Sequence, residues 1–183
     1  ASGDKDVQRR NMSPAPQHLV IMGVSGSGKT TISTLLSEHL GWIAAEADEF
    51  HSEANIAKMA SGVPLTDEDR WPWLESIRGW MDTQADNGRS TIVTCSALKR
   101  VYRDVLASAS GQLHFIHLNG DAEVLRERMK TRSGHFMPAS LLPSQINTLE
   151  PLAEDEPGIV IDILRSPAEI AADIVNRLDL PAN

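Results

Sequence analysis

The pattern of apolar and polar positions alternates along the chain between short apolar runs and apolar residues spaced three to four positions apart. This alternation predicts the order of the strands and helices. Short apolar runs are typical of buried strands, whereas apolar residues repeating every three to four positions are typical of helices. The predicted strands span 18–22, 42–45, 91–95, 113–118 and 159–162. The predicted helices span 31–40, 52–60, 66–86, 98–107, a segment that begins at 121, 138–149 and 167–178. Such alternation predicts an α/β fold, with a five-stranded parallel sheet and helices on both faces.

The connection between the first strand and the first helix carries a recognisable motif. Residues 23–30 read GVSGSGKT, which matches the phosphate-binding loop G-x-x-x-x-G-K-[ST]. Its glycines let backbone N–H groups surround a polyphosphate, its lysine adds a positive charge, and its last hydroxyl suits Mg²⁺. The helix that follows directs its positive end toward the phosphates. The predicted nucleotide-binding residues of this segment are Gly23, Ser25, Gly26, Ser27, Gly28, Lys29, Thr30 and Thr31.

Two carboxylates, Glu46 and Asp48, follow the second predicted strand. In a parallel sheet this strand end opens at the same edge as the phosphate-binding loop. Residues two apart on an extended segment point the same way, so both side chains are expected to face the γ-phosphate. One would help Thr30 hold hydrated Mg²⁺, and Asp48 is the candidate to accept a proton from an acceptor hydroxyl. That layout is typical of a small-molecule kinase; the alternative is a helix cap and a solvated acid in an ordinary loop.

Four segments resemble the gluconate kinase family, small P-loop kinases related to shikimate and adenylate kinases. They read MGVSGSGKTT, EADEFHSEANIAKMASGVPLTDEDRWPWL, CSALKRVYRD and RMKTRSGHFMPASLLPSQ. The second is the most diagnostic, because P-loops are widespread whereas this acceptor-side segment is peculiar to the family. The resemblance implies an adenylate-kinase-like three-layer fold with a mobile lid at about 126–140. It also implies ATP and Mg²⁺ as cofactors, phosphorylation of D-gluconate at its 6-hydroxyl, and commonly a homodimer.

A linear, polyhydroxylated carboxylate needs a cation for its carboxylate and many hydrogen-bonding groups. Arg70 is the first choice for a planar, bidentate clamp, and the alternative is a surface ion pair with Asp67 or Glu68. Lys99 and Arg103 lie one helical turn apart and are expected to share a face. The further acceptor-binding candidates, taken from the family-like segments, are His51, Lys99, Arg103, His135 and Gln145.

A group of basic residues precedes the Ser133-Gly134 break: Arg126, Arg128, Lys130 and Arg132. In an ordinary helix these would form a solvated charged face. In the family context the segment resembles a lid that closes over ATP and excludes water. Arg132 is then expected to reach the transferring phosphate and to be catalytic together with Lys29 and Asp48. Arg128 is expected to contact the adenine or the phosphates.

The chain departs from the family's usual pattern at three places. Ala47 stands where Gly is usual between the two acids, and Ala tolerates positive φ poorly. Ser52 replaces a usual Pro, and Ile146-Asn147 replaces a Phe-containing pair. These changes lie on the acceptor side. They leave open a kinase for another small hydroxy acid, such as shikimate, or a nucleotide-binding module without catalysis.

Tryptophans and histidines add little chemistry to this picture. Trp71, Trp73 and Trp80 are expected to pack the apolar face of a helix or a subunit interface, and Cys95 to be a small buried residue. The six histidines show no metal-ligand spacing, so no zinc is expected.

Length and composition constrain the number of domains, the possible partners and the cellular compartment. The 183 residues suit one domain at 18–183, preceded by a mobile tail at 1–17. A net charge of −8 argues against nucleic-acid binding. The single cysteine excludes an internal disulfide. No apolar run approaches the roughly twenty residues of a membrane span, so no membrane partner is expected. The single cysteine favours a reducing compartment, and we therefore expect a cytoplasmic protein.

Overall fold

The computed structural model describes residues 15–24, 26–131 and 142–181. The strands are β1 (Gln17–Met22), β2 (Ile43–Glu46), β3 (Thr91–Thr94), β4 (Gln112–Asn119) and β5 (Gly158–Asp162). The helices are α1 (Lys29–Leu40), α2 (Glu53–Ala60), α3 (Asp67–Asp86), α4 (Arg100–Ala107), α5 (Ala122–Thr131), α6 (Leu142–Thr148) and α7 (Pro167–Arg177). A short 3-10 helix covers Ala47–Phe50 between β2 and α2.

The five described strands form one parallel sheet in the order β2-β3-β1-β4-β5, which confirms the predicted α/β architecture. β1 is the central strand, and its Val20 lies opposite Val93 of β3 and Phe115 of β4. Because all strands run the same way, the loops after β1, β2 and β3 meet at one edge of the sheet. That edge is where ligands bind in open α/β sheets.

Alternating residues of β1 divide the interior into two cores, one on each face of the sheet. Leu19 and Ile21 face the first core, and Val20 and Met22 face the second. The first core is completed mainly by α1, α5 and α7, with Ile32, Leu36, Leu125, Ile170 and Ile174. The second core is completed by α3 and α4, with Trp73, Leu74, Ile77, Met81, Tyr102 and Leu106. Each fully buried large apolar side chain contributes roughly 1.5–3 kcal/mol.

Local capping explains where the helices on the acceptor side begin. The Thr66 side chain accepts a hydrogen bond from the Asp69 amide, and Asp69 Oδ2 accepts from the Thr66 amide at 2.9 Å, a complete capping box for α3. Ser52, which stands where the family usually has Pro, caps α2 by accepting from the Asn55 amide at 3.2 Å. An N-cap of this type is worth about 1 kcal/mol. The Pro-to-Ser departure therefore preserves the start of this helix.

Several predicted boundaries differ from the structure. β1 begins at Gln17, which the predicted tail included, and α1 begins at Lys29, inside the motif. α4 begins at Arg100 rather than 98, and Lys99 is its N-cap with an extended backbone. α5 ends at Thr131. Most of the predicted lid and most of the predicted N-terminal tail lie outside the described residues. Among the helices that the structure describes, none is long and apolar enough to cross a membrane.

Arg103 and Glu156 form an ion pair in the interior. Arg103 is 1% exposed, and its Nε and Nη2 donate to the two carboxylate oxygens of Glu156 at 2.6 and 3.0 Å. Nη1 also donates to the Ala97 carbonyl at 3.0 Å. Burial opposes ionisation of Glu156, but hydrogen bonds from Arg103 and from the Ala153 amide outweigh it, so its pKa lies below the usual range. The pair ties α4 to the loop after β3 and to the segment before β5.

We predict that Glu156→Gln lowers the free energy of unfolding by about 3–5 kcal/mol, because it leaves the Arg103 charge buried without a counter-charge. Urea unfolding followed by circular dichroism measures the loss. The exposed Glu154→Gln is the matched control and should change stability by less than about 0.5 kcal/mol. The pKa of Glu156 is lower in the folded protein than in the unfolded chain, where it is about 4.3. The contribution of Glu156 to the free energy of unfolding is therefore fully present above the unfolded pKa and is lost as the pH falls from there through the folded pKa. Equal midpoints for both variants would contradict the prediction.

Candidate active site

The loop between β1 and α1 has the backbone that the motif requires. Gly23, Gly26 and Gly28 have φ of 143°, 86° and 95°, in the region that favours glycine. A Cβ at Gly23 would lie 2.8 Å from the Leu118 carbonyl oxygen, so no larger residue fits there. Ser25 lies outside the described residues. The backbone therefore turns directly from a buried strand into the N-terminus of α1.

Lys29 is the first residue of α1, and its ammonium lies over this loop. Nζ donates to the carbonyls of Gly23 and Val24 at 3.0 and 3.1 Å. Thr30 and Thr31 are exposed on the same first turn of the helix. A helix N-terminus, a flexible cation and an exposed hydroxyl form a donor set that fits the phosphates of a nucleotide and a bound Mg²⁺.

A cleft lies beside this loop, bounded by β2, the 3-10 helix, α3, the loop after β3 and α6. It brings together seven residues that the sequence analysis selected: Lys29, Thr30, Glu46, Asp48, His51, Arg70 and Gln145. Its further walls include Met59, Leu65, Trp73, Thr94, Cys95, Ser96 and Leu98. One concave site thus joins the phosphate-binding loop to the proposed acceptor residues.

The two acids reach this cleft by different backbone conformations. Glu46 ends β2, whereas Asp48 lies in the 3-10 helix, so the extended-segment argument for their common direction is wrong. Both nevertheless line the cleft together with Lys29. The 3-10 helix brings Asp48 to the cleft, while the side chain of its neighbour Ala47 packs in the second core and is 2% exposed.

Alanine at position 47 fits the turn without strain. Ala47 is not one of the two non-glycine residues with positive φ in the described part of the chain, which are Ala97 and Asp179. Its carbonyl accepts a hydrogen bond of 2.7 Å from Nε1 of Trp73. The glycine that the family usually has is therefore not required for this backbone.

His51 lies flat against Trp73, with ring centroids 4.1 Å apart and an angle of 13° between the rings. Burial, and then the charge of Arg70, lower the pKa of His51 to about 4. The Asn55 amide nitrogen lies 3.4 Å from Nδ1, a contact that favours the tautomer with the proton on Nε2. His51 thus offers the cleft a neutral hydrogen-bonding group, and the positive charge at this wall comes from Arg70.

Trp73 is a site residue that the sequence analysis assigned only to packing. It lines the cleft and belongs to the second core. Its ring stacks on His51, and its Nε1 donates a hydrogen bond to the Ala47 carbonyl. A signal was present in the sequence, because Trp73 lies three residues after Arg70 and so shares its helical face.

Arg70 does not form the surface ion pair that was its alternative role. Nη1 donates to the Tyr102 hydroxyl at 2.8 Å, and among the described ion pairs none joins Arg70 to Asp67 or Glu68. The guanidinium lines the cleft instead. Its binding of the acceptor carboxylate stays a prediction.

The structure does not bring Lys99 and Arg103 to a shared face. Lys99 precedes α4 and donates to Asp67 at 3.1 Å, beside the cleft. Arg103 is buried against Glu156, so its predicted role in acceptor binding is wrong, because its guanidinium is already used inside the protein. Arg128 lies in α5, and Arg132 and His135 lie outside the described residues.

Cys95 forms part of the cleft wall but is not a nucleophile. Burial raises the pKa of its thiol to about 12. The thiol therefore stays protonated and acts as a small packing group, in agreement with its predicted role.

The sheet order, the phosphate-binding loop and the cleft beside it define a P-loop kinase. Residues 19–137 match the AAA domain family. The gluconokinase of Gluconobacter oxydans is 44% identical over 162 residues, which are 88% of this chain and 91% of that protein. The chain belongs to the gluconokinase family, as its resemblance implied.

Solved structures agree with this assignment. An unliganded sugar kinase from Janibacter sp. HTCC2649 superposes with a TM-score of 0.87 at 56% identity, covering 90% of this chain and 95% of that one. A gluconokinase from Sinorhizobium meliloti 1021 superposes with a TM-score of 0.76 at 42% identity, covering 91% and 98%. Shikimate kinase from Aquifex aeolicus has a TM-score of 0.56 at 16% identity, a likeness that shows the shared fold alone.

We predict that His51 stays neutral throughout the physiological pH range. In the ligand-free protein its ring proton resonances should move only below about pH 5, because its pKa is about 4. NMR titration of the six histidines measures this, and the signal missing from His51→Gln assigns the resonance. A midpoint near 6.5 for His51 would contradict the burial and the Arg70 charge described above.

Proposed function

We propose that this protein transfers the γ-phosphoryl group of ATP to the 6-hydroxyl of D-gluconate, giving 6-phosphogluconate and ADP. The observation that carries the proposal is the single cleft shared by Lys29, Asp48 and Arg70. It places a phosphate-binding cation, a carboxylate and a second cation around one space. Membership of the gluconokinase family supports the choice of acceptor.

The nucleotide half of the cleft binds ATP through its phosphates. Backbone N–H groups of the loop, the N-terminus of α1 and Lys29 hold the negative charge, as in other phosphate-binding loops. Thr30 would hold Mg²⁺, with Glu46 or Asp48 in contact through water. When bound, the metal neutralises charge on the phosphate oxygens.

Asp48 is the proton acceptor in this proposal. The 6-hydroxyl oxygen forms a bond to the γ-phosphorus while the bond from that phosphorus to the β–γ bridging oxygen breaks. ADP leaves, and the hydroxyl proton passes to the Asp48 carboxylate. Because the transition state is loose, the protein contributes mainly by aligning the hydroxyl and stabilising charge.

The opposite end of the acceptor is an anion, and Arg70 is the cation of the described cleft on that side. A guanidinium matches a carboxylate in shape and can donate two parallel hydrogen bonds. The neutral His51 and the Gln145 amide suit the hydroxyl groups between the two ends. An extended sugar acid would thus run from Asp48 to Arg70.

Other parts of the site stay predictions. These are phosphate contacts from Arg132 and Arg128, acceptor contacts from His135 and from the rim residue Lys99, and closure of the lid. A homodimer, a cytoplasmic location, the absence of nucleic-acid and membrane partners, and one domain from residue 18 onward also stay predictions. A kinase for shikimate is less favoured, since the likeness to shikimate kinase is one of fold alone.

We predict that D-gluconate stimulates ADP release from Mg-ATP and that shikimate, related sugar acids and nucleoside monophosphates do not. Lys29→Ala should lower kcat by at least about 10²-fold, because it removes a preorganised charge at the phosphates. A coupled ADP assay measures both. A response to another acid alone would keep the kinase and change the acceptor. No response to any acceptor, with ATP still bound, would indicate a nucleotide-binding module without catalysis.

We predict that Asp48→Asn lowers kcat by about 10²-fold while ATP binding is retained, because the proton acceptor is lost whereas the loop, Lys29 and Thr30 that hold the phosphates are unchanged. Glu49→Gln is the matched control, since Glu49 is the exposed neighbour in the same 3-10 helix. Steady-state kinetics and isothermal titration with a non-hydrolysable nucleotide give the two quantities. Equal activity of the two variants would show that Asp48 has no chemical role.

A further inference from the structure

The hydroxyl of Tyr102 lies between Arg70 and Asp67. It accepts a hydrogen bond of 2.8 Å from Nη1 of Arg70 and donates one to Oδ1 of Asp67. The same Asp67 oxygen accepts from Lys99 at 3.1 Å. Asp67 and Arg70 belong to α3, whereas Tyr102 and Lys99 belong to the start of α4. Four polar groups from two helix N-termini thus form one chain of contacts at the rim of the cleft.

Without this hydroxyl, Arg70 would have a competing partner. Asp67 and Arg70 are three residues apart on one helix, a spacing at which opposite charges pair readily. A direct pair would occupy the guanidinium with a carboxylate of the protein itself. In the structure the Tyr102 hydroxyl and the Lys99 ammonium satisfy Asp67 instead, and their hydrogen bonds hold its pKa below the usual range.

We propose that Tyr102 is a positioning residue that keeps Arg70 available to the carboxylate of the acceptor by separating it from Asp67. The proposal rests on the proposed function, because it concerns the anionic end of the same acceptor. The hydrogen bond to Tyr102 uses one of the five N–H donors of the guanidinium. It fixes the direction of the side chain and leaves an edge for a bidentate contact.

The aromatic ring of Tyr102 is held independently of its hydroxyl. The residue is 1% exposed, and Trp71 meets the ring edge-on at a centroid distance of 5.7 Å. The Arg70 and Lys99 cations lie 5.2 and 5.5 Å from the ring centroid. Tyr102→Phe therefore removes the hydrogen bonds while the ring keeps its packing, so the variant tests the hydroxyl alone.

The first test separates binding from chemistry. Tyr102→Phe should raise the KM for gluconate about tenfold, the size expected when a hydrogen bond to a charged group is lost. Its kcat and its KM for ATP should stay within about twofold, since Asp48 and Lys29 are untouched. An unchanged KM for gluconate would overturn the proposal.

The second test asks whether Asp67 is the competitor. Adding Asp67→Asn to Tyr102→Phe should return the KM for gluconate to within about twofold of the wild-type value, because asparagine cannot form an ion pair with Arg70. Asp67→Asn alone is the matched control and should change this KM little. If the double variant is as impaired as Tyr102→Phe, Asp67 is not the competitor for Arg70 and the proposal fails.

A third measurement does not depend on the acceptor. Tyr102 is the single tyrosine of the chain, so ultraviolet titration of tyrosinate reports on it directly. Burial and the Asp67 carboxylate raise its pKa, and the Arg70 charge opposes the rise. Arg70→Gln should therefore raise this pKa further, and Asp67→Asn should lower it. No change in Arg70→Gln would overturn the contact on which the proposal rests, even if the wild type phosphorylated a different acid.

Discussion

The glycine turn between β1 and α1 is the constraint on which the site depends. β1 is buried on both faces, so the chain must leave it at a fixed point and reverse over the sheet edge. The Gly23 amide donates to the Ser96 carbonyl at 3.3 Å, which joins the turn to the loop after β3. The Leu118 carbonyl closes the turn from the other side. The first residue of α1 is consequently Lys29, and its charge lies where the strand ends converge.

The acceptor wall depends on a second set of contacts, between segments distant in sequence. The Trp73 indole holds the Ala47 carbonyl and with it the 3-10 helix that carries Asp48. Arg103 holds the loop after β3 by donating to the Ala97 carbonyl, and it holds the segment before β5 through its ion pair with Glu156. Two separate sets of contacts, Trp73 with Ala47 and Arg103 with Ala97 and Glu156, thus hold the backbone near the acceptor wall. A substitution that breaks either set of contacts is therefore expected to shift the backbone that lines the cleft.

The sequence predicted most reliably what is encoded locally. The phosphate-binding loop and the capped start of α3 each depend on residues within one short segment, and both agree with the structure. The α/β class of the sheet was predicted from the local pattern of each strand and helix in turn. Glu46 and Asp48 both line the cleft, but a 3-10 helix rather than an extended backbone brings Asp48 there.

Arg103 was assigned wrongly because its partner Glu156 is 53 positions away, and no local pattern records that contact. The Tyr102 hydroxyl bond to Arg70 spans 32 positions and was invisible for the same reason. Long-range pairing between polar groups is decided by packing of whole helices, which spacing along the chain does not encode.

The two cores lie behind different halves of the cleft. The first core includes Val24 and Ile32, which support the phosphate-binding loop, and the second includes Ala47 and Trp73, which support the acceptor wall. The sheet separates them, so we expect a substitution in one core to disturb that core more than the other. A variant of this chain could therefore acquire a different acceptor through substitutions in the second core while it keeps the ability to bind a nucleotide.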